Sequence, residues 1–352
     1  MRKISRRKRL LFILLANVLA LGLLAIGGEV ACRLLAPQAH YGALPDWILE
    51  LLQYSDDIYL GWELRPGTLD HNSAGIRGPE YTRAKPPGTW RIAFIGDSVT
   101  YGLHVEGKQT FAHLLEEQCN RRGAGPVEIL NFGVPGYNPF QEYEMLKTRA
   151  GAYHPDLVVM VFSTDDVETS PVVMNIGGEP ALFRNQFEDN RLLNNALHWT
   201  IFRHSHLYRL LYKSAALSFV PAGNRFDDVY VQPRVEWENV RRVAQWCREH
   251  QTRFLLVLSP YLSPYEPEGG TAAELRDMQR YDEAFDVIRQ LARQDRLDVV
   301  DLGPLYKQHS GQMKIRRIDH EHLNPEGHRL VAEYLLPRVI AAHAREIKGP
   351  PQ

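Results

Sequence analysis

The 352-residue sequence is poor in cysteine, with only Cys32, Cys119 and Cys247. Three scattered cysteines make neither a disulfide framework nor a thiolate metal site, so buried, unpaired thiols are expected. Net charge is also scarce, at 41 basic against 42 acidic residues. Arg2, Lys3, Arg6, Arg7, Lys8 and Arg9 crowd the first nine positions, and without these six the chain keeps 35 basic against 42 acidic residues. A mildly acidic body lacks the basic face that nucleic acid requires, so no nucleic-acid partner is expected. The turn Gly96-Asp97-Ser98-Val99-Thr100-Tyr101-Gly102 lacks the Gly-x-Gly-x-x-Gly spacing of a dinucleotide site. There is no internal repeat. An apolar content of 44% beside 24% charged residues argues against disorder as the main state.

The N-terminal region carries one long run without charge, Leu10 to Gly28, with Asn17 as its single polar residue. A helix of that length spans about 28 Å, close to the hydrocarbon thickness of a bilayer. Its basic flank is expected to stay cytoplasmic. A cleaved signal peptide is the rival reading. Against it, the run is longer than a signal core and no small-x-small site precedes Cys32. Glu29 also stands where a lipoprotein signal wants an apolar residue. The expectation is therefore a single-pass inner-membrane protein: residues 1–9 as a basic cytoplasmic tail, 10–28 as the anchor, and the body on the periplasmic or extracytoplasmic side. Residues 29–87, rich in Pro, Gly and turn formers, read as a stalk and lead-in.

From Arg91 the pattern alternates. Apolar runs at 91–96, 127–132, 156–162, 253–259 and 297–302 predict strands. Helices are predicted over 109–122, 141–150 and 330–347. The run at 156–162 is apolar without interruption, as in a strand buried on both faces. Strands alternating with helices imply a parallel sheet covered on both sides, an α/β fold in a three-layer α/β/α sandwich. The domain is expected over 88–345. An insertion at 167–232, with a helical stretch at 192–211, breaks the rhythm. Insertions of this size on such scaffolds are commonly lids or binding segments.

Ligands of open parallel sheets bind at the carboxyl ends of the strands. The first strand ends in Gly96-Asp97-Ser98. The second ends in Asn131-Phe132-Gly133 and the third in Ser163-Thr164-Asp165-Asp166. Before the last helix stand Asp319, His320, His322 and His328. A serine nucleophile needs a base and the base needs an orienting acceptor; Ser98, His322 and Asp319 supply these three. The backbone N–H groups of Ser98 and Gly133 are candidate donors to a developing oxyanion. Taken alone, Ser98 also fits a helix N-cap and Gly133 a plain turn glycine. Asp97 reads as an acceptor that orders the loop. His320-x-His322 is a poor metal site, because no further ligands cluster at the right spacing.

Gly96-Asp97-Ser98, the Gly133 loop, the polar third block and Asp319-x-x-His322 together resemble the SGNH/GDSL hydrolases over roughly residues 88–345. Residues 72–81, Asn-Ser-Ala-Gly-Ile-Arg-Gly-Pro-Glu-Tyr, and the N-terminal anchor resemble a membrane-tethered bacterial branch. The resemblance implies a flavodoxin-like sandwich and a serine esterase or O-acyltransferase acting on an acylated carbohydrate or lipid, with neither metal nor organic cofactor. One position departs from the pattern. The third block of the family is Gly-x-Asn-Asp, whose asparagine donates to the oxyanion, and here Asp165 takes the asparagine's place. An ionised carboxylate only accepts hydrogen bonds. Three outcomes stay open: a repelling carboxylate, a protonated donor, or the Thr164 hydroxyl in its stead. The alternative function is a catalytically weakened domain that binds glycan or assembles in the envelope.

Overall fold

The computed structural model describes residues 5–36, 50–55, 57, 59–123, 125–169, 173–176, 179–182, 197, 200–201, 204–211, 230–231, 233–262, 272–313 and 321–347. The chain forms two compact units. One joins residues 1–45 to 170–228, and the other joins 46–169 to 229–352.

In the first unit, α1 (Arg6–Leu35) is capped by Ser5, whose hydroxyl accepts the Lys8 N–H. Its apolar side chains described from Phe12 to Ile26 are exposed. The one polar group in the run is satisfied within the helix, where Asn17 Nδ2 donates to the Ile13 carbonyl at 2.8 Å. By length and composition α1 is able to cross a membrane, a test that a signal sequence also passes.

The second unit carries the main sheet. β1 (Leu52–Tyr54) and β2 (Trp62–Leu64) form an antiparallel pair. The main sheet contains β3 (Trp90–Gly96), β4 (Val127–Gly133), β5 (Leu157–Ser163), β10 (Arg253–Ser259) and β11 (Val299–Asp301), in the order β4-β3-β5-β10-β11 and all parallel. Every residue of β3 and β5 is buried, as uninterrupted apolar runs require. Alternate side chains serve opposite faces. Ile92, Phe94, Val159 and Val257 pack against Phe111, Leu115, Val331 and Leu335. Those residues belong to α3 (Phe111–Arg121) and α8 (Pro325–Ile347). On the opposite side Phe162 meets Phe285, at 6.0 Å between ring centroids. That side is covered by α4 (Pro139–Thr148), α5 (Pro233–Glu249) and α6 (Ala272–Gln294), which pack in sequence. Each large apolar side chain fully buried here contributes about 1.5–3 kcal/mol. The three-layer sandwich expected from the sequence is the fold observed. The strand order reverses between β3 and β5, so the crevice there is where ligands of such sheets bind.

Residues 50–87 differ from the stalk-like lead-in expected at 29–87. Leu52, Leu60, Trp62, Leu64 and Ile76 are buried. Trp62 donates its indole N–H to the Pro135 carbonyl, and Tyr137 donates to the Trp62 carbonyl. The segment is part of the folded unit because most of its large apolar residues point inward, Leu69 excepted. Beyond β5, a short turn over Asp165–Val167 leads to β6 (Glu168–Thr169), which pairs antiparallel with β9 (Tyr230–Val231) and closes the neck of the insertion. Within the insertion, β7 (Val173–Ile176) and β8 (Glu179–Leu182) form a hairpin, and residues 206–211 are helical. All three cysteines are buried free thiols.

Candidate active site

The site grows out of the end of β3. Gly96 is followed by α2 (Ser98–Tyr101), a single helical turn, and a side chain at Gly96 would overlap Thr100. The helix cap is Asp97, not Ser98: Asp97 Oδ1 accepts the Val99 N–H at 2.8 Å. Such a cap contributes about 0.5–2 kcal/mol. Capping by Asp97 leaves the Ser98 hydroxyl available. It lies 2.9 Å from His322 Nε2, a contact between residues 224 positions apart.

His322 is placed by its neighbour Asn324. The Asn324 N–H donates to the Met313 carbonyl at 2.8 Å, and its side-chain amide donates to the Gln312 carbonyl at 2.7 Å. These bonds fasten the segment to the end of α7 (Gly303–Met313). Asn324 Oδ1 also accepts the Gly327 N–H at 2.8 Å, which caps α8. His104 meets His322 edge-on at 5.4 Å between ring centroids, from a left-handed backbone conformation with φ of 73°. His328 is buried elsewhere: its Nδ1 accepts the Phe111 N–H, and burial beside Arg77 pushes its pKa down to about 3. It is a neutral core histidine. Asp319 and His320 lie outside the described residues.

Gly133 ends β4 directly beside Gly96. A side chain there would overlap the Tyr101 nitrogen and Thr100, so only glycine lets β4 approach α2. Its own N–H, however, donates to Asn131 Oδ1 at 3.0 Å, while Asn131 Nδ2 holds the Thr100 carbonyl at 2.9 Å. The loop's other glycine, Gly136, has φ of 80°. Its N–H has no acceptor among the described residues.

The third block sits behind the Ser98 turn. The Ser163 hydroxyl donates to Asp97 Oδ2 at 2.8 Å, and the Ser163 N–H donates to Asp166 Oδ2 at 2.7 Å. Serine, where the family pattern has glycine, thus ties β5 to the cap of α2. Asp165 is exposed, whereas Thr164 and Asp166 are buried. Burial pushes the Asp97 pKa up to about 6, against the pull of its Ser163 and Val99 donors. Burial, reinforced by neighbouring acids, also holds Asp166 and Glu142 well above the ordinary carboxylate range. Neither Glu142 oxygen has a hydrogen-bond partner among the described residues. Carboxyls so placed stay protonated in preference to carrying an unpaired buried charge.

Arg77, from the segment read as lead-in, closes the far side of α2. Its guanidinium donates to the carbonyls of Tyr101 at 2.6 Å, Gly102 at 2.7 Å and Val105 at 2.5 Å. It pairs with Asp70 at 3.0 Å and lies 4.0 Å from the centre of the Tyr101 ring. His71 Nε2 reaches the Tyr101 hydroxyl at 2.9 Å. A cation at the C-terminal end of the helix also complements its dipole. The clue available in the sequence was the arginine itself, inside Gly75-Ile76-Arg77-Gly78 and next to an apolar residue. Glu142 and Ser163 carried no such clue.

No curated protein matches the chain. Solved structures with a similar course include an acetyl xylan esterase, 17% identical, covering 71% of this chain and 99% of its own with a TM-score of 0.45. A lipase/acylhydrolase from Enterococcus faecalis is 16% identical, covering 72% and 96%, with a TM-score of 0.44. A carbohydrate acetylesterase family member from Sinorhizobium meliloti is 14% identical, covering 73% and 100%, with a TM-score of 0.43. The model of the GDSL-like lipase/acylhydrolase family matches residues 94–330, from β3 with its Ser98 turn to α8 beyond His322. The chain therefore belongs to the GDSL-like lipase/acylhydrolase family of ester-hydrolysing enzymes.

Proposed function

We propose that Ser98 is the nucleophile of an acyl-ester hydrolase and His322 its general base. The observation that carries the reading is the 2.9 Å contact between Ser98 Oγ and His322 Nε2. In the first half-reaction Ser98 Oγ attacks the ester carbonyl as its proton passes to His322. The imidazolium then protonates the departing alkoxide, leaving an acyl-serine. In the second half-reaction His322 takes a proton from water, the hydroxide attacks the acyl carbon, and Ser98 regains its proton. Asp319 is assigned the role of orienting His322, as the Asp-x-x-His spacing implies. The oxyanion is assigned to the Ser98 N–H, together with the loop that follows β4. Because the Gly133 N–H is held by Asn131, Gly136 is the better second donor on that loop. Asp165 occupies the position of the third.

The substrate class that fits is a small acyl ester on a carbohydrate or a lipid. The enzyme is held through residues 10–28 in a bacterial inner membrane, with its catalytic domain outside the cytoplasm. The test is hydrolysis by the full-length protein of a short-chain aryl ester, acetylated xylo-oligosaccharide and phospholipid, each beside Ser98→Ala. Turnover of at least one ester, abolished in Ser98→Ala, is expected. A folded protein that binds acetylated glycan unchanged by Ser98→Ala and turns over no ester would favour a binding module.

A further inference from the structure

The first unit contains a contact that the hydrolase reading does not use. Glu29 is the first charged residue after the apolar run of α1. Its carboxylate accepts the Ser205 hydroxyl at 2.7 Å, the His206 N–H at 3.0 Å and the Leu207 N–H at 2.9 Å. Those N–H groups open the helical stretch 206–211, so Glu29 caps a helix that begins more than 170 residues later in the chain. Arg33, one turn further along α1, donates to Glu29 at 2.7 Å and to the His204 carbonyl at 2.7 Å. Gly28 makes room for the stretch: a side chain there would press on Leu207 Cδ2 at 3.0 Å. Gly28, Glu29 and Arg33 therefore form a seat for residues 204–207.

The seat lies where the run 10–28 ends. In a bilayer that level is the boundary between acyl chains and headgroups. Whatever is fastened to Glu29 is fastened at that level. The surface of the fastened segment matches it. Among the described residues outside α1, five large apolar side chains are exposed, and three of them, Leu197, Ile201 and Leu211, lie in residues 197–211. Leu197 is 70% exposed and Leu211 58%.

We propose that residues 204–211, with Leu197 and Ile201 ahead of them, rest on the membrane surface, with Leu197, Ile201 and Leu211 among the lipids and Glu29 as the tether. The occupant of this apolar surface is the bilayer that α1 enters. Elements of this kind bury a few apolar side chains at the headgroup boundary. The proposal rests on residues 10–28 spanning a membrane, and it gives the insertion a physical role as a segment leashed to the lipid surface.

The test uses the full chain in vesicles of phosphatidylethanolamine and phosphatidylglycerol. A polarity-sensitive fluorophore is attached at Leu21→Cys, Leu197→Cys or Leu211→Cys, with the native chain and its three buried thiols as the labelling background. Nitroxide lipids then quench at shallow or deep positions. The expected result is loss of most Leu21 emission with the deep quencher and of most Leu197 and Leu211 emission with the shallow one. Adding Glu29→Gln should restore emission at 197 and 211 while leaving Leu21 quenched. Quenching at Leu21 with none at 197 and 211 would overturn the proposal and leave the anchor standing. Absence of quenching at all three positions would overturn the anchor and the proposal together.

Discussion

Asp165 faces solvent from the turn after β5, while its neighbours Ser163, Thr164 and Asp166 are buried. In the reading proposed above Asp165 stands at the third oxyanion position, where a carboxylate can accept but not donate and would oppose the charge that forms. Asp165→Asn is therefore expected to raise kcat, by up to about 100-fold if a full donor is restored; steady-state hydrolysis of an aryl ester checks this. A fall in rate would show that the carboxylate serves the reaction. Gly133 is under a different constraint, since any side chain there overlaps the backbone of α2. Gly133→Ala, whose Cβ would meet the Tyr101 backbone nitrogen at 2.3 Å, is expected to cost about 3 kcal/mol or more, the upper end of overpacking, and to lose activity with the fold. Gly136→Ala costs about 1–2 kcal/mol of left-handed strain and should leave a folded protein; thermal denaturation separates the two. The pairing of Ser98 with His322 was legible in the sequence because a serine stood at a strand end and a histidine just before the last helix. The Gly133 hydrogen bond was not, because the competing acceptor Asn131 reads as an ordinary strand residue.

At the scale of elements, α2, which carries Ser98, is four residues long, too short to be stable by itself. It is held at both ends by other parts of the chain. Ser163 holds Asp97 at the N-terminal end, and Arg77 holds three carbonyls at the C-terminal end. Arg77→Lys keeps the charge and loses the fork. Charge-assisted bonds of this kind contribute about 1.5–3 kcal/mol, so the variant should melt several degrees lower. If Arg77 positions the nucleophile, kcat should also fall at unchanged KM. Unchanged kcat beside a lower Tm would limit Arg77 to a structural role. The five parallel strands were readable from their apolar runs because strands buried on both faces leave little room for polar residues. The packing of residues 50–87 was not legible because β1 and β2 are three residues each, and their packing partners, such as Pro135 and Tyr137, lie far along the chain.

At the scale of the molecule, the buried acids behind the site set how stability responds to pH. A carboxyl whose pKa is raised by folding binds more protons folded than unfolded. Stability is then highest at low pH and falls as pH climbs from the unfolded value, about 4, through the folded one. For Asp97 that window closes at about 6. For Asp166 and Glu142, raised well above the ordinary range, it extends higher. Glu142→Gln removes an acid without hydrogen-bond partners among the described residues. Denaturant titrations should show the variant losing less stability than the parent between about pH 4 and pH 8. No sequence pattern reveals such a cluster, because acids from α4, the turn after β5 and the Asp97 turn meet only in the fold. The central claim concerns Ser98 and His322, and its most direct test is fluorophosphonate labelling of the full-length protein with Ser98→Ala and His322→Ala controls. Covalent labelling that disappears in Ser98→Ala and falls strongly in His322→Ala is the predicted result. A folded parent protein that stays unlabelled, or a Ser98→Ala variant that labels as before, would contradict it.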